Sequence, residues 1–504
     1  MTSRELLSRR NFLQRASGLA LGTSVANTIF DLRLINTALA QGGGSYPDYK
    51  ALVCLFLSGG NDGNNMVIPF DPTNYAAYAG IRGPGLALAP DAASVPAVVD
   101  QINGNAYYGL PLSAANTGGE LAAVHSAMPE IQTLFNNNKL AFVRNVGVLT
   151  EPITRTEYRA GTKTRPPQLF SHNDQVSQWQ TSLPDQISRT GWGGRTMDRV
   201  RADFAQQSIP MGQISMSVSV SGSNTWEVGD LVNQFQVSSG GIVSFSNYNG
   251  AANVNRKAVI DQILRDPSQG GDPTLNTQRT NLSLLDFRNV NERALLNGAS
   301  LSTALAGLPA PTAAAIDAAF LPVGNSNIGA QMKMIARIIA ARNTLGMKRQ
   351  IFFCSAGGYD THGLQPLAHN NLLVAISRAM KALYDATATP ELNIADKVTT
   401  FTGADFGRTF KSNGLGSDHA WGNHHMVCGG AVDGGKFYGA FPTFQLGGPS
   451  DTDNSNPTGR WIPSISVDEY SATLARWFGV ADSALDTIFP NLNRFPNRDL
   501  GFMV

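Results

Sequence analysis

The sequence predicts an α/β protein built on a mostly parallel sheet. Three observations point there. Continuous apolar runs of strand length recur at 51–57, 140–146, 350–354 and 397–402. The last three each follow a stretch with helical periodicity, and that alternation builds βαβ units. Three of the four runs also end in a glycine-containing turn that carries a carboxylate, at the strand end where parallel sheets bind ligands.

The elements follow in chain order. Residues 1–40 have the layout of an export leader: Arg9-Arg10-Asn11-Phe12-Leu13, an apolar stretch over 16–30, and Ala38-Leu39-Ala40 as a small-residue cleavage site. The arginine pair followed by Phe-Leu is similar to a twin-arginine signal. Gly42-Gly43-Gly44-Ser45 is a flexible joint. The first strand, 51–57, runs into Ser58-Gly59-Gly60-Asn61-Asp62-Gly63. A helix around 129–136 leads into the second strand, helix 331–345 into the third, and helix 372–385 into the fourth. Between about 205 and 330 the rhythm breaks. Residues 214–246 read as antiparallel strands and 255–320 as helical, a mixed β/α insertion placed like a cap on the core. Ser466-Val467-Asp468-Glu469 is a capping box that opens a terminal helix, which Gly479 stops.

Composition narrows the function classes. Of 504 residues only 15% are charged, below the usual quarter, and 38 basic residues face 37 acidic ones. That balance excludes a protein that coats nucleic acid, so no nucleic-acid partner is expected. The leader holds five basic and two acidic residues, so the mature chain has 33 against 35 and a net charge of −2. Three cysteines, Cys54, Cys354 and Cys428, make no disulfide framework, and the first two sit in apolar runs where a thiol packs as a small hydrophobe. No stretch outside the leader approaches the ~18–20 apolar residues of a membrane span. The expected location is periplasmic or extracellular, reached through the twin-arginine translocation machinery.

Candidate chemistry gathers at the strand ends. The first strand delivers Asp62, the third Asp360 and His362, and the fourth Asp405 and Arg408. Asp418, His419, His424 and His425 follow closely, and five of the seven histidines fall between 362 and 425. Carboxylates and imidazoles converging from several strands suit a divalent cation: Zn, Mn or Fe by ligand type, with Ca or Mg as further options. Taken singly, a carboxylate after a strand is as readily a helix cap.

Together the residues carry a family resemblance. The series Gly59-Gly60-x-Asp62, Gly357-Gly358-Tyr359-Asp360-Thr361-His362-x-x-Gln365, Asp405-Phe406-Gly407-Arg408-Thr409 and Asp418-His419 resembles the domain of unknown function 1501 family, over most of the mature chain. The resemblance implies twin-arginine export and membership of the alkaline phosphatase-like superfamily, with sulfatases and cofactor-independent phosphoglycerate mutases. The implied fold is a three-layer sandwich over residues 46–504. The implied activity is metal-dependent hydrolysis of a small anionic phosphate or sulfate ester. Implied metal ligands are Asp62, Asp360, His362, Asp405, Asp418 and His419, with His424 or His425 as rivals to the last. This chain spaces its pair Asp-x-His where the superfamily has Asp-x-x-x-His, and Phe406 stands where the superfamily has a histidine. Ser171-His172 followed by Trp179 is similar to the segment that carries the nucleophile. Ser171 is then the candidate hydroxyl, with Thr154 and Thr156 as competitors and a helix cap as the alternative role. Arg408, Arg155 or Arg165 is the candidate anion clamp. The rival reading is a secreted binding or assembly protein that keeps the fold and a degenerate, structural metal site.

Overall fold

In the computed structural model, which describes residues 43–93, 107–115, 117–242, 248, 251–264 and 282–504, β1 (Lys50–Leu57) is apolar after its first residue and buried along its length. Such a strand needs cover on both faces. The leader at 1–40 lies outside the described residues. Next in the chain is a small antiparallel sheet of β2 (Val67–Pro69), β3 (Gly109–Pro111) and β4 (Ala122–His125), with β4 in the middle. The main sheet continues with β5 (Leu140–Gly147), β6 (Ser217–Ser219), β7 (Phe235–Ser238), β8 (Gly241–Ile242), β9 (Arg349–Ala356), β10 (Val398–Ala404), β11 (Asn423–Gly429), β12 (Phe437–Tyr438) and β13 (Ile465–Ser466). Its order is β12-β5-β11-β10-β1-β9-β6-β7-β8, with β13 also beside β5.

β1 lies between β10 and β9 and is parallel to both. β6 continues the parallel run from β9, and β7 from β6. β11 runs antiparallel between β10 and β5. The architecture is mixed α/β around a large, mostly parallel sheet. The four apolar runs became β1, β5, β9 and β10, and helices cover 254–264, 282–306 and 310–320.

One expectation needs correction. The 214–246 segment is not an antiparallel set. β6 and β7 pair in parallel, β6 is built into the main sheet, and only β7 and β8 form an antiparallel hairpin. Alternating Ser and Val specify a half-buried strand but not its direction. Direction comes from the long return between β6 and β7, where the Asp198 carboxylate accepts the N–H groups of Asp230, Leu231 and Val232. Residues 423–429, to which the sequence assigned no element, form strand β11, which places His424 and His425 in the sheet.

Aromatic packing seats the helix that matters for the site. Trp179, Trp192 and Trp226 converge on Phe401 of β10, with ring centroids 6.4, 5.6 and 5.7 Å away. A Cβ at Gly403 would lie 2.4 Å from Trp179, so only glycine lets that indole settle on β10. Trp179 thereby pins the helix His172–Thr181 and leaves its first residue at the carboxyl edge of the sheet. The terminal helix Val467–Trp477 carries the expected reciprocal capping box of Ser466 and Glu469. All three cysteines are buried, and burial pushes the Cys428 thiol up to about 12, so it stays protonated. Among the described residues no single helix is long and apolar enough to cross a membrane.

Candidate metal centre

Because β1, β9 and β10 are parallel neighbours, their carboxyl ends open on one edge of the sheet. There the Gly59 N–H, just past β1, donates to Asp405 Oδ1 just past β10 (3.1 Å). Tyr359 N, past β9, donates to the Ser58 carbonyl (3.2 Å). The approach is close: a Cβ on Gly59, which has φ +112°, would sit 2.5 Å from the Asp360 nitrogen. Only glycine tolerates both the contact and the left-handed backbone. A short antiparallel excursion then brings in the next ligands. Thr409 N donates to the Asp418 carbonyl and Ala420 N to the Gly407 carbonyl, which folds 407–421 back over the strand ends.

Four side chains meet at this edge. His419 Nε2 lies 3.1 Å from His172 Nε2, 3.0 Å from His362 Nε2 and 3.1 Å from Asp360 Oδ1. His362 Nε2 is 3.0 Å from Asp360 Oδ1, and His172 Nε2 is 3.5 Å from Asp360 Oδ2. Each ring is held from behind by its other nitrogen. His172 Nδ1 donates to Asp405 Oδ2 (2.7 Å), His362 Nδ1 to Asp418 Oδ1 (2.9 Å) and His419 Nδ1 to the Phe170 carbonyl (2.8 Å). A carbonyl cannot donate, so the proton of His419 is fixed on Nδ1 and Nε2 carries the lone pair. The two carboxylates impose the same tautomer on His172 and His362.

Lone pairs 3 Å apart repel unless a cation lies between them. Ligands at ~2.0–2.1 Å from a tetrahedral cation sit about 3.4 Å from one another. The observed 3.1–3.5 Å spacings among His172, His419 and Asp360 therefore fit a single divalent cation held by two imidazoles and a carboxylate, with His362 adjoining His419 and Asp360.

The electrostatics agree. Burial alone would raise the Asp360 carboxyl, but the hydrogen bond and charge of Arg408 outweigh it and hold the group below the usual carboxylate range. Asp418 is lowered as well: burial opposes, and hydrogen bonds from Asn413 and His362 prevail. Burial lowers His419, which keeps its ring neutral and able to ligate. Asp360 and His362 are each about 45% exposed, so the centre is open on that side.

The other candidate residues have different places. Asp62 is fully buried on the guanidinium of Arg82 and the amide of Gln365, and does not reach the cluster. It joins the centre only indirectly, through Gln365, Ser417 and Arg408. Asp405 and Asp418, expected as ligands, face the outer nitrogens of His172 and His362. His172, expected beside a nucleophile, presents Nε2 to the cluster itself. His424 is a buried β11 residue that accepts the Asn145 N–H and packs on Phe441; burial lowers it to about 3. His425 lies against Thr402 Oγ1 and is also lowered to about 3 by burial. Ser171 Oγ donates to Asp174 Oδ2 (2.5 Å), and Thr154 closes a capping box with Glu157. Arg408 is buried and spent on Asp360 (2.7 Å) and the Ser417 carbonyl (2.5 Å). Arg155 donates to the carbonyls of Asp451 and Asp453, and Arg165 lies over the Tyr158 ring. Phe406 fills the space a further ligand would take, its ring centred 4.7 Å from both His172 and His419.

Sequence reasoning missed the Phe170 carbonyl and Arg460. The latter donates through Nε to the His419 carbonyl (2.9 Å) and lies over the Phe170 ring. No spacing signal marks either.

A family model described as "Protein of unknown function (DUF1501)" matches residues 49–456. No curated protein matches. Two solved structures resemble the chain weakly, each covering 90% of this chain and 77% of the other. They are "Crystal structure of Ps i-CgsB in complex with k-i-k-neocarrahexaose", at 10% identity and TM-score 0.30, and "Crystal structure of Ps i-CgsB", at 11% and 0.31. At that level the likeness carries no functional argument.

Proposed function

We propose that this chain, which belongs to the DUF1501 family, is an exported metal-dependent hydrolase of phosphate or sulfate esters. One observation carries the reading: His172 and His419, each anchored through Nδ1, turn Nε2 toward the Asp360 carboxylate, with His362 adjoining on a face open to solvent. A divalent cation there supplies Lewis acidity, polarising an ester oxygen and making water acidic enough to attack near neutral pH. The chain's own residues do the rest. Asp405, Asp418 and the Phe170 carbonyl fix the rings. Arg408 keeps Asp360 ionised. Asp360 Oδ2, the oxygen Arg408 leaves free, is placed to accept a proton from water entering by the exposed side. With Ser171 committed to Asp174 and Thr154 to its cap, attack by water suits the residues better than a covalent serine route.

The finer architecture belongs to the same proposal. The alkaline phosphatase-like superfamily and its three-layer sandwich are supported by the parallel β10-β1-β9 centre with candidate ligands at its carboxyl edge, while a cap-like part of the 205–330 insertion is left to its helices 254–264, 282–306 and 310–320, since β6, β7 and β8 extend the main sheet. Twin-arginine export to the periplasm or beyond rests on Arg9-Arg10 and Ala38-Leu39-Ala40. The committed hydroxyls also favour a second reading, a secreted binding or assembly protein whose metal is structural.

Elemental analysis of the exported protein is expected to give one divalent cation per chain. His419→Ala should remove it, together with turnover of aryl phosphate or sulfate esters. A cation that His419→Ala depletes without any wild-type turnover would favour the structural-metal reading. Absence of bound cation would sink both. Replacing Arg9 and Arg10 by Lys should retain the precursor in the cytoplasm, and undiminished export would remove the twin-arginine assignment.

A further inference from the structure

We infer that the cleft between the helix Arg155–Ala160 and the loop 161–170 is an anion subsite beside the metal centre, and that the substrate is an ester bearing a second phosphate or sulfate group away from the scissile one. The ester clause rests on the hydrolase reading; the anion site does not.

The chain is poor in charge, yet Arg155, Arg159, Lys163 and Arg165 fall within eleven residues that hold one acid, Glu157. Two of these cations are largely spent. Arg155 donates to two backbone carbonyls, and Lys163 to the Pro152 carbonyl with Glu157 alongside. Arg159 and Arg165 are exposed and have no carboxylate partner among the described residues. Arg165 lies 5.0 Å over the Tyr158 ring, which stiffens a guanidinium without neutralising it. Beneath it opens a cavity of about 470 Å³ lined by Tyr158, Lys163, Arg165, Gln168 and Leu169.

The chain that lines this cavity runs on into the metal centre. Leu169 is followed by Phe170, whose carbonyl holds His419, and then by His172. Four residues of chain reach at most ~14 Å, so Gln168 and His172 are no farther apart than that. Gln168 and Phe170 both have left-handed backbones, φ 52° and 72°. That conformation is disfavoured for an ordinary residue. The strained loop thus serves both places, turning the Phe170 carbonyl to His419 and laying Gln168 and Leu169 into the cleft. Arg460 lies over the Phe170 ring at 4.9 Å, with Nε on the His419 carbonyl and Nη1 on Asp453. Guanidinium groups bind phosphate and sulfate oxygens in pairs, so the arrangement suits an anion that reaches from the centre into the cleft.

The test is the exposed variant Arg165→Gln, with two readouts. The first is calorimetric titration of the metal-free protein with inorganic tripolyphosphate. Wild type should bind in a salt-sensitive way, and the variant about ten-fold more weakly. No binding by wild type, or equal binding by the variant, overturns the subsite. The second is the KM of the metal-loaded enzyme. For an ester with a remote anionic group it should rise about ten-fold with kcat unchanged, while p-nitrophenyl phosphate is unaffected. Equal effects on both esters overturn the substrate claim. If wild type binds tripolyphosphate as stated but turns over neither ester, the anion site stands and the ester clause falls with the hydrolase reading.

Discussion

An imidazole ligates a cation through one nitrogen, and the contact at the other decides whether it is free to do so. At His172 that contact is Asp405, which also receives the Gly59 N–H. Asp405→Asn keeps the shape and the glycine contact but offers an amide to His172 Nδ1, which competes with the tautomer that ligates. Chelator competition should show cation affinity falling about 10–100-fold with the fold intact; undiminished affinity would show that Asp405 does not orient His172. Asp405 and Asp418 were legible in the sequence as members of a site because they stand beside strand-end glycines. Their place behind the candidate ligands was not legible, since that depends on which histidine the fold brings in front of each. Asp62 shows the converse. Its position after β1 reads as a ligand, but Arg82, twenty residues on, takes its charge, and no local pattern announces that pairing.

The loop entering the helix His172–Thr181 is where elements and site meet. Just upstream, Thr154 accepts the Glu157 N–H and Glu157 answers the Thr154 N–H. Thr154→Ala should cost about 1 kcal/mol in urea unfolding while leaving turnover unchanged. Lost turnover without lost stability would restore Thr154 as a nucleophile. The strands β1, β5, β9 and β10 were readable because both faces of each are buried, which writes an unbroken apolar run into the sequence. β11 was not readable: its Asn423-His424-His425 start is polar, and these side chains are buried by partners the fold brings from elsewhere, Asn145 and Thr402 among them. β6 and β7 were visible as strands, but their mutual direction is a property of the return that joins them.

At the scale of the whole molecule, several acids are interred away from the centre. Burial raises Glu227 to about 8, against hydrogen bonds from Gln234 and Asn224, and raises Asp468 to about 7 and Asp198 to about 6. A carboxyl raised in the folded state binds its proton more tightly there than in the unfolded chain. Its contribution is fully present below the unfolded value, near 4.5 for Glu227, and is lost as pH rises through about 8. Stability should decline across that window, by roughly 4 kcal/mol for Glu227 at the upper limit. Glu227→Gln keeps an acceptor for Asn224 and Gln234 and should flatten the decline in denaturant titrations between pH 5 and pH 8. A parallel, unflattened profile would remove Glu227 from the account.

The sheet order has a consequence for the nascent chain. β1 is complete at Leu57, but its neighbours begin at Arg349 and Val398. At ribosomal rates of ~5–20 residues per second, roughly 15–60 s pass before the first strand can meet its first partner. Throughout that time a wholly apolar strand is without its sheet, and contacts so far apart in sequence close slowly. The ligands are staggered over the same interval, with His172 emerging early and His419 near the end. The candidate metal centre is thus complete only once His419 has emerged, after all three central strands β1, β9 and β10.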